Sequence, residues 1–272
     1  MTYIKLITFL LFLFIGLSSC SEKNHSSQRV EMGTTLKVLT YNIHHANPPS
    51  KPEFIDLQAI AKVIMESGAE LVALQEVDVN TTRSGKTSDQ AEALAKLTGM
   101  EFSFSKGIDY QGGEYGTAIL SKYPLLDHQR FELPNLESVN SEPRTLAVAT
   151  IDIRGTKVKF GNTHLDYTNA ENNLLQVKRI VEIFEDENLP VILGGDFNAV
   201  PESASIQLLD QHFVRSCIEN CAFTSPQSQP KRTIDYIMVS SDSNWEILEH
   251  QVIEETYASD HRPVLATYRF GK

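Results

Sequence analysis

A layered α/β domain, with mixed β-sheets flanked by helices, is the fold class this chain predicts. Three observations carry that reading. Strand-like and helix-like runs alternate from residue 36 onward, and strands outnumber helices. The strands are also of two kinds. Some alternate apolar with polar residues, and others are continuously apolar, as strands covered on both faces are. A pure doubly wound sheet would need the continuous kind throughout. The chain has 272 residues, 41% of them hydrophobic, enough for one large domain or two small ones. No stretch reads as a linker and no internal repeat is found, so one domain over 36–272 is expected.

The elements follow in order. "LKVLTYNI" (36–43) reads as a strand. "EFIDLQAIAKVIMESG" (53–68) puts Phe54, Leu57, Ile60, Ala61 and Ile64 on one helical face and stops at Gly68. "ELVALQ" (70–75) is a short strand and "DQAEALAKLTG" (89–99) a helix with a glycine stop. "TAILSKYPLLDHQRFEL" gives two strands around Pro124, and "TLAVATIDIRGTKVKFGNTHL" a hairpin turned near Gly155. "NAENNLLQVKRIVEIFEDEN" is a helix with Leu174, Val177, Ile180, Val181 and Phe184 inward. "PVILGG", a short helix near 203–210, "TIDYIMVS", "WEILEHQVI" and "PVLATYRF" complete the chain.

The first residues stand apart from the fold. Lys5 precedes "LITFLLFLFIGL", an apolar run too short to span a bilayer comfortably and suited to the middle of a secretory signal. "LSSC" at 17–20 resembles the bacterial lipobox, whose cysteine becomes the lipidated first residue of the mature protein. The expectation is a signal peptide over 1–19, then a polar tether over 20–35 anchored to a membrane through lipid on Cys20. That places the protein in the periplasm or at the cell surface. An ordinary signal cleaved near an incidental cysteine is the alternative. In an oxidising compartment Cys217 and Cys221 are expected to form a small-loop disulfide, with a metal pair or two free thiols as the other options. The 24 Lys and Arg against 35 Asp and Glu leave a net charge of −11, which disfavours a nucleic acid as a stable partner. A monomer is expected.

The polar residues at strand ends carry the chemistry. "VLTYN" ends in Asn42, "LVALQE" in Glu76, "VKFGNTH" in His164, and "VILGGDFN" in Asp196 and Asn198. "TIDYIM" carries Asp235, and "SDHRPV" sets Asp260 and His261 before the last strand. Burying such groups costs free energy unless they are partnered. One case would be a satisfied turn residue, but six together at the edge of a sheet point to a site.

In this order "TYN", "LQEVD", "NTHLD", "GGDFNA", "IDYIM" and "SDHRPV" resemble the endonuclease/exonuclease/phosphatase superfamily, and the likeness runs from about Leu36 to Phe270. The resemblance implies a four-layer α/β sandwich, two mixed sheets face to face with helices outside, and attack of water on a phosphate ester. It assigns Glu76, with Asn42 and Asp260, to a divalent cation, Mg2+ or Mn2+. Asp196 would orient and deprotonate the water while Asn198 donates to a phosphate oxygen. His164 and His261 would serve the phosphoryl oxygens, with Asp235 fixing the tautomer of His261. The side chains of Asp260 and His261 should therefore point apart. Glu114 would orient His164 or be a solvated turn acid, and Arg144 would contact substrate or make a surface ion pair. Arg83 and Lys86, in the polar loop 80–90, would meet phosphate or simply be solvated. Some nuclease relatives carry an acid two residues after the first-strand Asn. Here that position is His44, followed by His45, which would touch metal or phosphate or be loop residues.

The expected function is metal-dependent hydrolysis of a phosphate ester. Nuclease, sphingomyelinase-like phospholipid phosphodiesterase, and sugar- or inositol-phosphate phosphatase remain open. A catalytically dead binding lipoprotein on the same fold is the non-enzymatic alternative.

Overall fold

The computed structural model describes residues 34–271, so the signal, the lipid attachment at Cys20 and the tether lie outside the described residues. Twelve strands and four α-helices occur in the order β1 (Thr34–Asn42), α1 (Leu57–Ser67), β2 (Leu71–Val79), α2 (Gln90–Thr98), β3 (Glu101–Tyr110), β4 (Gly113–Ser121), β5 (Leu125–Glu132), β6 (Thr145–Ile153), β7 (Thr156–His164), α3 (Ala170–Phe184), β8 (Val191–Asp196), α4 (Ala204–Leu209), β9 (Phe213–Arg215), β10 (Asp235–Ser240), β11 (Glu246–Val252) and β12 (Val264–Phe270).

The helices begin and stop where side-chain chemistry allows. Asp56, Asp89, Asn169 and Ser203 each accept a backbone N–H from the first turn of the helix that follows. Such a cap contributes about 1 kcal/mol. Gly68 and Gly99 close α1 and α2 in the left-handed conformation that glycine adopts without strain. The Asp56 cap corrects the expected start of the first helix. Phe54 lies ahead of it and is 48% exposed, and Val63 joins Ile60, Ala61 and Ile64 on the buried face.

Two six-stranded sheets result, in the orders β11-β12-β1-β2-β4-β3 and β5-β6-β7-β8-β10-β9. Each holds one parallel pair, β1 with β2 and β7 with β8, crossed by α1 and α3, and every other pairing is antiparallel. The two strands around Pro124 do form, but in different sheets: the chain leaves β4 and enters β5 there. The inner faces meet through Leu36, Val38, Ala73, Ala149, Phe160, Ile237 and Tyr268. A second core packs α1 and α2 on the first sheet, and a third packs α3 on the other sheet. These are the four expected layers, and all these apolar groups leave water. Cys217 and Cys221 are disulfide-bonded.

Polar groups also cross between the sheets. Asn162 of β7 donates to Leu74 O at 2.9 Å and Ala118 O at 2.8 Å, and its own oxygen accepts from Gln75 Nε2 at 2.8 Å. All four residues are fully buried. Removing the amide would orphan those partners, each at a cost of 1 kcal/mol or more. Asn162→Ala is therefore expected to lower the unfolding free energy by about 3 kcal/mol, measured by chemical denaturation. A loss below about 1 kcal/mol would contradict the bridge.

Candidate active site

The strand directions gather the polar residues at one rim. Strands β1, β2, β7 and β8 run toward it, and β10 and β12 start from it. Register then fixes neighbours: His164, Asp196 and Asp235 lie side by side across β7, β8 and β10, and Asn42 pairs with Gln75. The second glycine of "GGDFN" allows this pairing, because a Cβ on Gly195 would sit 2.3 Å from the backbone oxygen of Thr163.

Asn42 joins the two sheets. Its Nδ2 lies 3.0 Å from both Glu76 Oε1 and Asp196 Oδ2, while its oxygen accepts from the His44 N–H at 3.1 Å. Glu76 reaches this position because the β2–β4 pairing shifts register between Leu74 and Val77, and Glu76 itself has φ 59°. Such a bulge re-aims a side chain, often beside a site. Strand β2 thus continues past residue 75, where the sequence placed its end.

Asp196 sits at the centre. Its Oδ2 lies 3.6 Å from His164 Nε2 and 3.8 Å from His261 Nδ1, and its Oδ1 accepts from the Asn198 backbone N–H at 2.9 Å. Burial, with the neighbouring Asp235 charge, pushes its carboxyl up to about 7, against the pull of His261, Asn42 and Asn198. His261 behaves oppositely. Its Nδ1 lies 3.1 and 3.0 Å from the two oxygens of Asp235. Burial alone would favour the neutral ring, but the Asp235 and Asp196 carboxylates overcome it and raise the imidazole to about 10. Thr224 donates its hydroxyl to the same Asp235. His164 is the neutral member, held well below 6.5 by burial and by the charges of Arg144 and His261.

The groups around Glu76 could hold a cation: its carboxylate and the rings of His44 and His45 each bring one donor atom within 4.8 Å of the others. Burial raises the Glu76 carboxyl and the Asp260 charge adds to that, while the Asn42 N–H works against both. A carboxylate with two imidazoles is a donor set that suits a divalent ion, so the residues present fit one. The His261 ring turns to Asp235 and Asp196, whereas Asp260 Oδ1 lies 3.4 Å from the Ser259 hydroxyl. Ser259 holds their loop by donating to Asn42 O at 2.6 Å.

The remaining candidates are placed as follows. Glu114 does not reach His164: it pairs with Lys106 at 3.4 Å and is a solvated acid of β4. Arg144 is 6% exposed and pairs with Glu142 at 3.1 Å, and both line a small cleft with His164, Tyr115 and Thr117. Its Nε has no partner among the described residues. Arg83 is committed to Asp78, at 2.7 and 2.9 Å, and stacks on Tyr110 and Tyr115. Lys86 is exposed. Asn198, with φ 49°, donates Nδ2 to Leu165 O at 3.1 Å, and Asn173 secures the same loops through Asp166 O and Phe197 O. The supporting residues Thr224, Ser259 and Asn173 were missed by the sequence reading, because a hydroxyl or amide in a loop or on a helix carries no periodic signal.

Comparison with known proteins agrees with the geometry. The model of the endonuclease/exonuclease/phosphatase family matches residues 39–261. The uncharacterized protein YbhP of Escherichia coli is 26% identical over 247 residues, 85% of this chain and 95% of its own length. An endonuclease/exonuclease/phosphatase structure from Beutenbergia cavernae superimposes with a TM-score of 0.72 at 24% identity, over 87% of this chain and 72% of that one. The mannosyl-6-phosphatase structure from Bacteroides thetaiotaomicron gives 0.70 at 18% identity, over 86% of this chain and all of that one.

The pairing of His261 with Asp235 can be read directly. In Asp235→Asn the imidazole loses its main stabilising charge, so its pKa is expected to fall from about 10 toward 6.5 or below, as followed by NMR of the ring. An unchanged titration would show that Asp235 does not hold the charged ring.

Proposed function

The chain belongs to the endonuclease/exonuclease/phosphatase family, a family of phosphoester hydrolases, and from that premise we propose that it hydrolyses a small phosphate ester by in-line attack of water activated at Asp196. The observation that carries the reading is the Asn42 amide, 3.0 Å from both Glu76 and Asp196, which sets the cation-side acid and the water-side acid one side chain apart. Glu76 and Asp260, with Asn42 beside them, would hold a divalent cation, Mg2+ or Mn2+. When bound, that ion would polarise a phosphoryl oxygen and offset its negative charge.

The chain's own residues supply the rest. Asp196, buried and poised near 7, takes the proton of the attacking water. The second N–H of the Asn198 amide, the one not spent on Leu165 O, is available to a phosphoryl oxygen. His261 keeps its Nδ1 proton on Asp235 and, as an imidazolium, offers Nε2–H to the oxygens that gain charge in the transition state. The neutral His164 ring adds a hydrogen bond without a second positive charge. Arg144, which lines the cleft beside it, would meet an anionic part of the substrate.

Two features support a substrate of headgroup or sugar size over a long nucleic acid. The chain carries a net charge of −11, and one of its structural relatives is a mannosyl-6-phosphatase. We further propose that the protein is exported and held on a membrane through lipid on Cys20, as "LSSC" implies.

Three measurements check these proposals. The purified protein should release phosphate or alcohol from sugar phosphates or aryl phosphoesters with Mg2+ or Mn2+, and EDTA should abolish turnover. Asp196→Asn should lower kcat by about 10² to 10⁴ with little change in melting temperature. Cleavage of DNA or sphingomyelin alone would overturn the substrate class, and no turnover on any phosphoester would favour a binding protein. Separately, Cys20→Ser should move the expressed protein from the membrane to the soluble fraction, and unchanged membrane association would count against the anchor.

A further inference from the structure

The short turn that follows β1 is not used by the mechanism above. His44, His45 and Ala46 have φ of 47°, 43° and 58°, three successive non-glycine residues in the left-handed region. Side chains other than glycine enter that region at a conformational cost and stay there only where the surroundings hold them. Here they are held from outside the turn: Gln90 Nε2 donates to His45 O at 2.7 Å, and the Asp56 N–H to Ala46 O at 2.7 Å. The result brings both imidazoles to Glu76, with one donor atom from each of the three residues within 4.8 Å of the others.

The two rings are prepared differently. His44 Nδ1 lies 2.8 Å from Asn47 O. A carbonyl can only accept, so Nδ1 carries the proton and Nε2 is left as a bare lone pair. Imidazoles that bind metals are commonly fixed in this way, by donating the other ring N–H to a backbone carbonyl. His45 Nδ1 is buried without a hydrogen-bond partner among the described residues. A buried polar atom left unpaired calls for an explanation, and a ligand that takes its lone pair or proton is one.

We propose that His44 and His45 join Glu76 as ligands of the divalent cation, so that the site takes a first-row ion of the Mn2+, Co2+ or Zn2+ kind in preference to Mg2+. This rests on the cation site proposed above and names the chemistry that selects its occupant. Mg2+ favours carboxylate, carbonyl and water oxygens in strict octahedral geometry and gains little from imidazole. First-row divalent ions take imidazole nitrogen more readily than Mg2+ does, Mn2+ the least of them and Co2+ and Zn2+ more strongly.

The test is binding, read without turnover. The purified protein is titrated calorimetrically with Mn2+ and with Mg2+, and its Mn2+ form is examined by pulsed EPR for imidazole nitrogen coupling. His44→Asn and His45→Asn are compared with Glu76→Gln, since Asn tolerates left-handed backbone but brings no ring nitrogen. Nitrogen coupling is expected in the unaltered protein and should weaken in each His variant. Affinity for Mn2+ should fall about tenfold or more per lost imidazole, while Mg2+ affinity moves by less than about threefold. Mn2+ that binds in a Glu76-dependent way, with no nitrogen coupling and no response to the His substitutions, overturns this inference and leaves the cation site intact. If neither ion binds and Glu76→Gln changes nothing, the cation site itself fails and this inference with it. Should a His variant not fold, the nitrogen coupling of the unaltered protein decides alone.

Discussion

One amide group sets the geometry of this molecule's working end. Asn42 stands at the last position of β1 and gives its two N–H bonds to carboxylates of opposite sheets, Glu76 and Asp196. Asp196 is buried and Glu76 half-buried, where an unpartnered charge is costly, so the sheets must approach closely enough for a single side chain to serve both. The Asn162 amide fixes the same spacing beneath it, pairing with Gln75 and with carbonyls of β2 and β4. Sheet packing and site assembly are thus one constraint. The apolar cores hold the layers together, but these buried amides set the register of one sheet over the other.

The electrostatics within the rim are deliberately unequal. Three ionisable groups, Asp196, Asp235 and His261, share a volume in which all three cannot be neutral without loss. Asp235 keeps His261 charged through two short contacts and takes a hydroxyl from Thr224. Asp196 is left between that pair and the Asn42 amide, with its carboxyl drawn up to about 7. An acid in that position changes protonation easily, which general base chemistry needs near neutral pH. His164, across the strand, stays neutral because it is buried, and because Arg144 and His261 already supply positive charge there.

Much of this was legible in the sequence, for reasons that differ by element. The alternating and continuous apolar runs gave most of the strands and the layered class, and the capping residues and glycine stops marked the helices. The residues after each buried strand pointed to the rim, because polar groups there need partners. What escaped was local. Strand β3 was overlooked because "EFSFSKGIDY" alternates on an outer strand whose residues are largely half-exposed, and β9 has only three residues. The bulge that aims Glu76 has no compositional mark, since no glycine or proline signals it. Phe54 was put on the helix face because periodicity does not see the Asp56 cap. Glu114 was read toward His164 from its place in a motif, while an exposed lysine, Lys106, claims it instead. The left-handed turn at His44 and His45 was invisible because no glycine marks it.

The most direct measurement is a crystal structure of the protein soaked with Mn2+ and orthovanadate, with the ion located by anomalous scattering. The account requires the anomalous peak within ligand distance of Glu76, and the vanadate between that ion and His261, within reach of Asp196 and Asn198. An ion bound away from Glu76, or an oxyanion that touches neither Asp196 nor His261, would contradict it.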